Sequence, residues 1–345
     1  MTISLDQAVV YDEECFPNLW TFHVESLYHD DKRVYEISEF RDDRHELRQL
    51  LNWLNQNQIP MIGFNNIGYD LPMLDMLWRN PQITYQEMYA KNQAIIGGSY
   101  EDRFAHTIWP RDWLAPQIDL MAINRFNTPS KATSLKALQC AMRAKSVLES
   151  TVPFGVPVTA DQVASDVIPY GTHDVSETKR FALYSLDAIN FRISMIEQYG
   201  VDCLCWDDVK IGAQMLIQQL GDELCYDRSS GRKVARQTIR TRIPVSDIIF
   251  PYISFQNTEL QRVLNFMNGV VLSHSDMSKE AGKDEESPLT IEAEVGGVTL
   301  RFGSGGVHGS VKSKRFVAGN GWTIEDDDVA GMYPALSNVN RLAPE

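Results

Sequence analysis

The sequence predicts an α/β domain over residues 1–205 followed by a smaller α+β region over residues 206–345. Three observations carry that expectation. Short apolar or alternating runs recur between segments whose apolar residues fall three and four apart, the order of a sheet covered by helices. A length of 345 residues allows two domains with separate cores. Near residue 205 the texture changes, and a basic stretch and a Gly-Gly turn signal replace the alternation of strands and helices.

The elements follow in order. Ala8–Tyr11 is an apolar run that ends in acids, and Leu19–Leu27 and Arg33–Ser38 partly alternate, so the chain opens with three strands joined by short turns. In Asp42–Asn57, Leu47, Leu50, Leu51 and Leu54 share one helical face behind an aspartate start signal. Pro60–Phe64 is a buried strand, and a helix follows over residues 70–78. Pro116–Met121 reads as another strand and Thr133–Lys145 as a helix capped by Thr133 or Ser134. From Thr172 to Tyr199 one apolar stripe, Val175 through Ile196, ends at Gly200 and predicts the longest helix. Between Arg228 and Ser246 stand Arg228, Arg232, Lys233, Arg236, Arg240 and Arg242 with no acid, a solvated face or a phosphate-contacting strip. Ser273–Pro288 is polar and reads as a mobile loop, and Gly296-Gly297 between two alternating runs predicts a hairpin.

Composition narrows the function. Lys and Arg number 32 against 46 Asp and Glu, a formal charge of −14, which excludes a globally basic nucleic-acid coat. It leaves room for an enzyme that handles DNA through carboxylate-held metal ions and a local basic stripe. No run of 18 apolar residues and no basic leader are present, so no membrane span or signal peptide is expected. Cys15, Cys140, Cys203, Cys205 and Cys225 are odd in number and lack paired zinc-ligand spacing; reduced thiols in a cytoplasmic setting are expected.

Three acidic patches stand at element boundaries. Asp12-Glu13-Glu14 closes the first strand, where side chains two apart share a face, so Asp12 and Glu14 converge while Glu13 points away. Asp70 follows a buried strand and a turn, at a helix start. Asp174 opens the long helix, with Tyr170 four residues ahead of it. Singly, a solvated strand end, a helix cap and the helix dipole each account for one acid. In order along one α/β unit, they point to a shared site.

Asp12-x-Glu14, Asn66-x-x-Tyr69-Asp70 and Tyr170-x-x-x-Asp174 resemble the three motifs of DEDD-type 3′→5′ proofreading exonucleases of the tyrosine subclass. Their spacing resembles that of family B DNA polymerases, particularly phage-type enzymes, and the likeness covers about the first 200 of the 345 residues. The resemblance implies an RNase H-like fold in which Asp12, Glu14, Asp70 and Asp174 hold two divalent ions, Mg²⁺ or Mn²⁺, that activate a water and stabilise the leaving 3′ oxygen. Tyr170 is expected to orient that water with its phenol protonated. Asn66 and Tyr69 are expected to contact a frayed single strand of DNA, and Ser134-Leu135-x-x-Leu138 resembles the family's single-strand-binding motif. Two departures stand out: Cys15 occupies a position where many relatives carry Thr, and Pro169, not His173, stands where the other DEDD subclass carries histidine.

A second resemblance lies in Glu325–Leu336, EDDDVAGMYPAL, which is similar to polymerase motif A. It implies that Asp328 is a metal-binding aspartate and that Tyr333 excludes a ribose 2′-hydroxyl; Gly331 replaces the usual Ser, and Asp326 adds an acid two residues before Asp328. Gly303–Lys312 resembles the Gly-Gly segment that precedes that motif. The chain reaches Glu345 without the template-binding lysine motif or the Y-x-D-T-D motif. The expectation is therefore the N-terminal part of a polymerase, truncated or split between genes, that proofreads but does not synthesise DNA as it stands. Its expected partners are DNA, as single-stranded primer 3′ end and as primer-template, and the missing polymerase part or other replisome proteins, in a bacterial host cytoplasm if phage-encoded. Two other readings remain open at this point: a free-standing DEDD exonuclease or RNase, and a non-catalytic single-strand DNA-binding module.

Overall fold

The computed structural model of the protein describes residues 3–99, 104–236, 240–273, 288–303 and 306–340. Contacts divide the chain into two compact units, Met1–Gly221 and Asp222–Glu345.

The first unit is built on a mixed five-stranded sheet. β1 (Val9–Phe16), β2 (Leu19–Ser26) and β3 (Lys32–Ser38) form an antiparallel meander; β4 (Met61–Gly63) joins β1 in parallel, and β5 (Gln117–Asp119) joins β4 in parallel. The spatial order is β3-β2-β1-β4-β5. β1 runs two residues past the acids expected to close it, pairing without interruption from Val9 opposite Ser26 to Phe16 opposite Leu19. Asp12, Glu13 and Glu14 therefore lie inside the strand and not at its end. Acids disfavour strands when judged locally, but continuous pairing and helices on both faces override that preference.

Alternation along β1 supplies two cores. Val9, Tyr11 and Cys15 face a layer made by α1 (Arg44–Asn57), α2 (Asp70–Arg79) and α3 (Tyr85–Ile96). α3 was absent from the expected elements although its start signal is in the sequence: Thr84 Oγ1 accepts the Glu87 N–H while the Glu87 carboxylate accepts the Thr84 N–H. Val10 faces the opposite layer, which holds α4 (Leu120–Ile123), α5 (Leu135–Ala141), α7 (Ile168–Tyr184) and α8 (Leu186–Tyr199). α6 (Ala160–Gln162) and one π turn over Val163–Val167 lead directly into α7, and α9 (Asp208–Leu220) completes the unit.

Three helix expectations are corrected here. The single helix expected from Thr172 to Tyr199 is two helices, broken at Ser185 (φ −95°, ψ 7°). Phe181, Ala182 and Ile189 stay in the same core across the break, so the apolar stripe does not register it. Asp174 is not in a first turn, because helical backbone is continuous from Ala160. Ser134 does cap α5, accepting the Ala137 N–H at 3.2 Å, but the helix stops at Ala141, and Arg143 takes a left-handed φ of 56°.

The second unit contains α10 (Asp222–Cys225), the short pair β6 (Tyr226–Asp227) and β7 (Val234–Ala235), and β8 (Arg242–Pro244). α11 (Thr258–Gly269) follows, and β9 (Val271–Ser273) returns to pair with β8. β10 (Ile291–Val295), β11 (Val298–Gly303) and β12 (Gly306–Ser310) make a three-stranded sheet, and α12 (Met332–Val339) comes last. Gly296 and Gly297, both at positive φ (61° and 82°), form the two-residue turn that pairs Val295 with Val298. Within the basic stretch, Arg228 and Lys233 both bind Asp222, and Lys233 also lies 4.0 Å from the Tyr226 ring centroid. Of the stretch expected as a mobile loop, 274–287 lies outside the described residues. Among the described residues no helix is long and apolar enough to cross a membrane.

Candidate metal centre

β1 and α7 bring separate acids together. Asp12 and Glu14 project from the β1 face that α7 crosses, and carboxylate oxygens of Asp12, Glu14 and Asp174 all lie within 4.8 Å of one another. No other group of three or more potential ligands gathers in this way among the described residues. The helix can lie so close because Gly171 has no side chain. A Cβ there would stand 2.5–2.8 Å from three ring atoms of His23, the residue paired with Asp12 across the β1–β2 ladder. His23 is itself fixed, with Thr21 Oγ1 at 3.0 Å and Thr172 Oγ1 at 3.3 Å, and burial lowers its pKa to about 4, so the ring is neutral.

Asp70, the first residue of α2, approaches from the other layer. Its side chain is buried, its Oδ1 has no hydrogen-bond partner, and the Asp12 carboxyl lies within hydrogen-bonding reach. Crowding these acids out of water works against their ionisation. Burial first, and then the Asp174 charge, raise Asp12 to about 7. Glu14 is pushed well up by burial and then by Asp12 and Asp174, and Asp70 well up by burial and then by Asp12.

α5 supplies the counter-charge. Lys136 Nζ donates to both oxygens of Asp174, at 2.7 and 2.9 Å, and Gln139 Nε2 donates to its Oδ1 at 3.1 Å. The same ammonium lies 4.4 Å from the Tyr170 ring centroid. Burial, followed by Asp174 and Glu14, raises the Tyr170 phenol, which therefore keeps its proton. Lys136, Gln139 and Gly171 are absent from the expected site. Lys136 falls inside the Ser134–Leu138 motif and Gln139 directly follows it, but only packing against α7 shows what they face.

The remaining expected residues lie outside the Asp12–Glu14–Asp174 group. Asn66 is fully buried, and its Nδ2 donates to the Tyr11 hydroxyl and to Gln117 Oε1, both at 3.1 Å. Gly63 makes room for it, since a Cβ there would come within 2.6 Å of the Asn66 Cβ. Asp119 accepts the Asn65 N–H at 3.0 Å, so the turn that delivers Asp70 is held from inside. The Tyr69 hydroxyl donates to Asn92 Oδ1 at 2.7 Å. Ser134 is exposed at the start of α5 and Leu135 is half-buried. Glu13 and Cys15 point into the layer of α1, α2 and α3, as alternation requires. Glu13 accepts from Trp20 Nε1 at 2.9 Å, and burial pushes the Cys15 thiol up, which makes it unreactive. In the second unit, Asp328 is exposed and accepts the Val329 N–H at 2.8 Å, and Tyr333 is exposed in the first turn of α12.

The donor set of the cluster suits a hard divalent cation. It offers only carboxylate oxygens, the ligand type that Mg²⁺ and Mn²⁺ prefer, and the unpartnered Asp70 Oδ1 is a buried acceptor still unspent.

No protein-family model matches the chain, and no curated protein matches it. Among solved structures it is similar to the family B DNA polymerase from the hyperthermophilic archaeon Pyrobaculum calidifontis, with 14% identity and a TM-score of 0.36, over 57% of this chain and 26% of that one. The chain spans about a quarter of the length of that polymerase.

Proposed function

We infer that the first unit is a metal-dependent 3′→5′ exonuclease of the DEDD type with an RNase H-like fold, acting on the 3′ end of single-stranded DNA. The observation that carries this reading is the convergence of Asp12, Glu14 and Asp174, with the unpartnered Asp70 oxygen beside them. Burying like charges is costly and contributes nothing to packing, so such a cluster is the signature of a working site. The strand order β3-β2-β1-β4-β5, a meander extended by two parallel strands, supports the fold assignment.

Asp12, Glu14, Asp70 and Asp174 would hold two divalent ions. When bound, such ions supply an activated water and charge stabilisation at the scissile phosphate. The chain's own groups do the rest. Lys136 and Gln139 fix the Asp174 carboxylate, and Lys136 also fixes the Tyr170 ring. Tyr170, kept protonated, can donate a hydrogen bond that orients the nucleophile and cannot act as a base. Ser134, Leu135 and Tyr69 contact the strand, while Asn66 acts from inside by holding the turn before Asp70. In the wider reading this unit proofreads for a phage-type family B DNA polymerase, and the second unit is the start of its palm, with Asp328 as a metal ligand and Tyr333 beside the incoming sugar.

The test is digestion of a 5′-labelled single-stranded oligonucleotide with and without Mg²⁺ or Mn²⁺. A ladder that shortens from the 3′ end, needs the metal and disappears in Asp12→Ala is the expected result. A ladder unchanged in Asp12→Ala, or none with either metal, would overturn the assignment.

A further inference from the structure

We propose that Phe154 is a stacking platform for a nucleobase of the strand whose 3′ end enters the carboxylate cluster; this rests on the exonuclease reading above. Phe154 is 68% exposed, yet the loop that carries it is anchored on both sides. Val152 and Val158 are buried with Phe16 and Leu19. Asn18 donates to the Val158 carbonyl and accepts the Val158 N–H, each at 2.8 Å. Asp166 accepts from Ser150 Oγ at 2.6 Å and from the Thr151 N–H at 3.0 Å. These anchors hold the loop, and with it the ring, in one place on the surface.

The ring is also presented in a defined way. It lies nearly parallel to Phe16, with centroids 5.8 Å apart and planes at 14°, so Phe16 backs one face while the side chain stays largely open to solvent. Two chain paths run from that stack to the cluster. Phe16 is two residues beyond Glu14 on the same face of β1. Val167, packed with Phe16, lies one helical turn before Tyr170. A rigid aromatic face beside a site that takes a polynucleotide end suits base stacking, which tolerates any sequence because every base has a π face. That tolerance is what an exonuclease that removes whichever nucleotide is terminal requires.

The experiment uses the full chain, its Phe154→Ala and Phe154→Trp variants, and oligonucleotides carrying 2-aminopurine at each of the last few 3′ positions. Expected are quenching of 2-aminopurine at one position by the wild type, loss of that quenching with roughly tenfold weaker binding in Phe154→Ala, and its return in Phe154→Trp. Cleavage by Phe154→Ala should show KM raised by a similar factor with kcat kept, and its Tm should fall only slightly, since the ring contact with Phe16 is all the fold loses. Wild-type cleavage with KM and quenching unaltered in Phe154→Ala would overturn the platform and leave the exonuclease standing. A wild-type chain that neither binds nor cleaves the oligonucleotides would overturn both.

Discussion

Asp12-Glu13-Glu14 and Glu325-Asp326-Asp327-Asp328 are runs of three and four acids, and their fates differ. The first run lies inside a paired strand, with Glu13 and Glu14 buried, Glu13 spent on Trp20, and Asp12 and Glu14 gathered with Asp174. The second lies in backbone without regular structure, wholly exposed, just ahead of α12. Water solvates the second run at no cost. In the first, the pKa values of Asp12, Glu13 and Glu14 all rise, so ionising the run opposes folding. Local acidity therefore says little by itself; the free energy a fold gives up to hold acids together marks where chemistry is expected.

The sharpest test of that contrast is a matched pair of substitutions. Asp70→Asn should cost about 10³-fold or more in oligonucleotide cleavage, since several kcal/mol of metal-borne stabilisation are at stake. Asp327→Asn, in the exposed run, should leave the rate unchanged; equal losses in single-turnover assays would erase the distinction. Next in size is Gly171→Ala. Its methyl would collide with the His23 ring and push α7, with Tyr170 and Asp174, away from β1. A displacement near 1 Å should lower cleavage by about 10²-fold, and overpacking should cost about 1–3 kcal/mol in denaturant unfolding. Tyr170→Phe, which removes one orienting hydrogen bond and no metal ligand, should slow cleavage only about tenfold.

The smallest expected effect is on stability and has a definite sign. Asp12 is raised to about 7, and Glu14 and Asp70 are raised as well, so each binds protons more tightly folded than unfolded. In the absence of divalent cations the Asp12 contribution is fully present below the ordinary carboxylate range and is lost as pH rises through about 7, and those of Glu14 and Asp70 fall with rising pH in the same sense. Mg²⁺ or Mn²⁺ should therefore raise Tm more at about pH 8 than at about pH 5, measured by thermal melting. A larger metal effect at the lower pH would contradict the assignment of these residues as ligands.

Much of the fold is legible in its residues. The meander, the leucine face of Asp42–Asn57, the buried strand at Pro60–Phe64 and the glycine pair at Gly296-Gly297 each carry a periodicity or a turn residue with one common structural outcome. The break at Ser185 is not legible, because apolar residues on both sides of it face one core. Nor is the full length of β1, which continues through Cys15 and Phe16 beyond the acids expected to close it. Within the site, strand alternation places Asp12 and Glu14 together and Glu13 apart. The same alternation puts Cys15 inward, with its thiol out of reach.

By itself, then, the sequence determined which faces its elements show, through the 2.0 and 3.6 residue periods, and which acids stand on those faces. Only the tertiary structure decided that Asp174, in the middle of a helix, meets two acids from a strand 160 residues away, because Gly171 lets that helix settle against His23. It alone decided that Lys136 and Gln139 hold Asp174, and that Asn66 turns inward while Phe154 turns out. The physical reason is common to all of these. Periodicity is a property of neighbours along the chain, whereas burial, charge pairing and close approach depend on what is packed opposite, and the chain carries no local record of that.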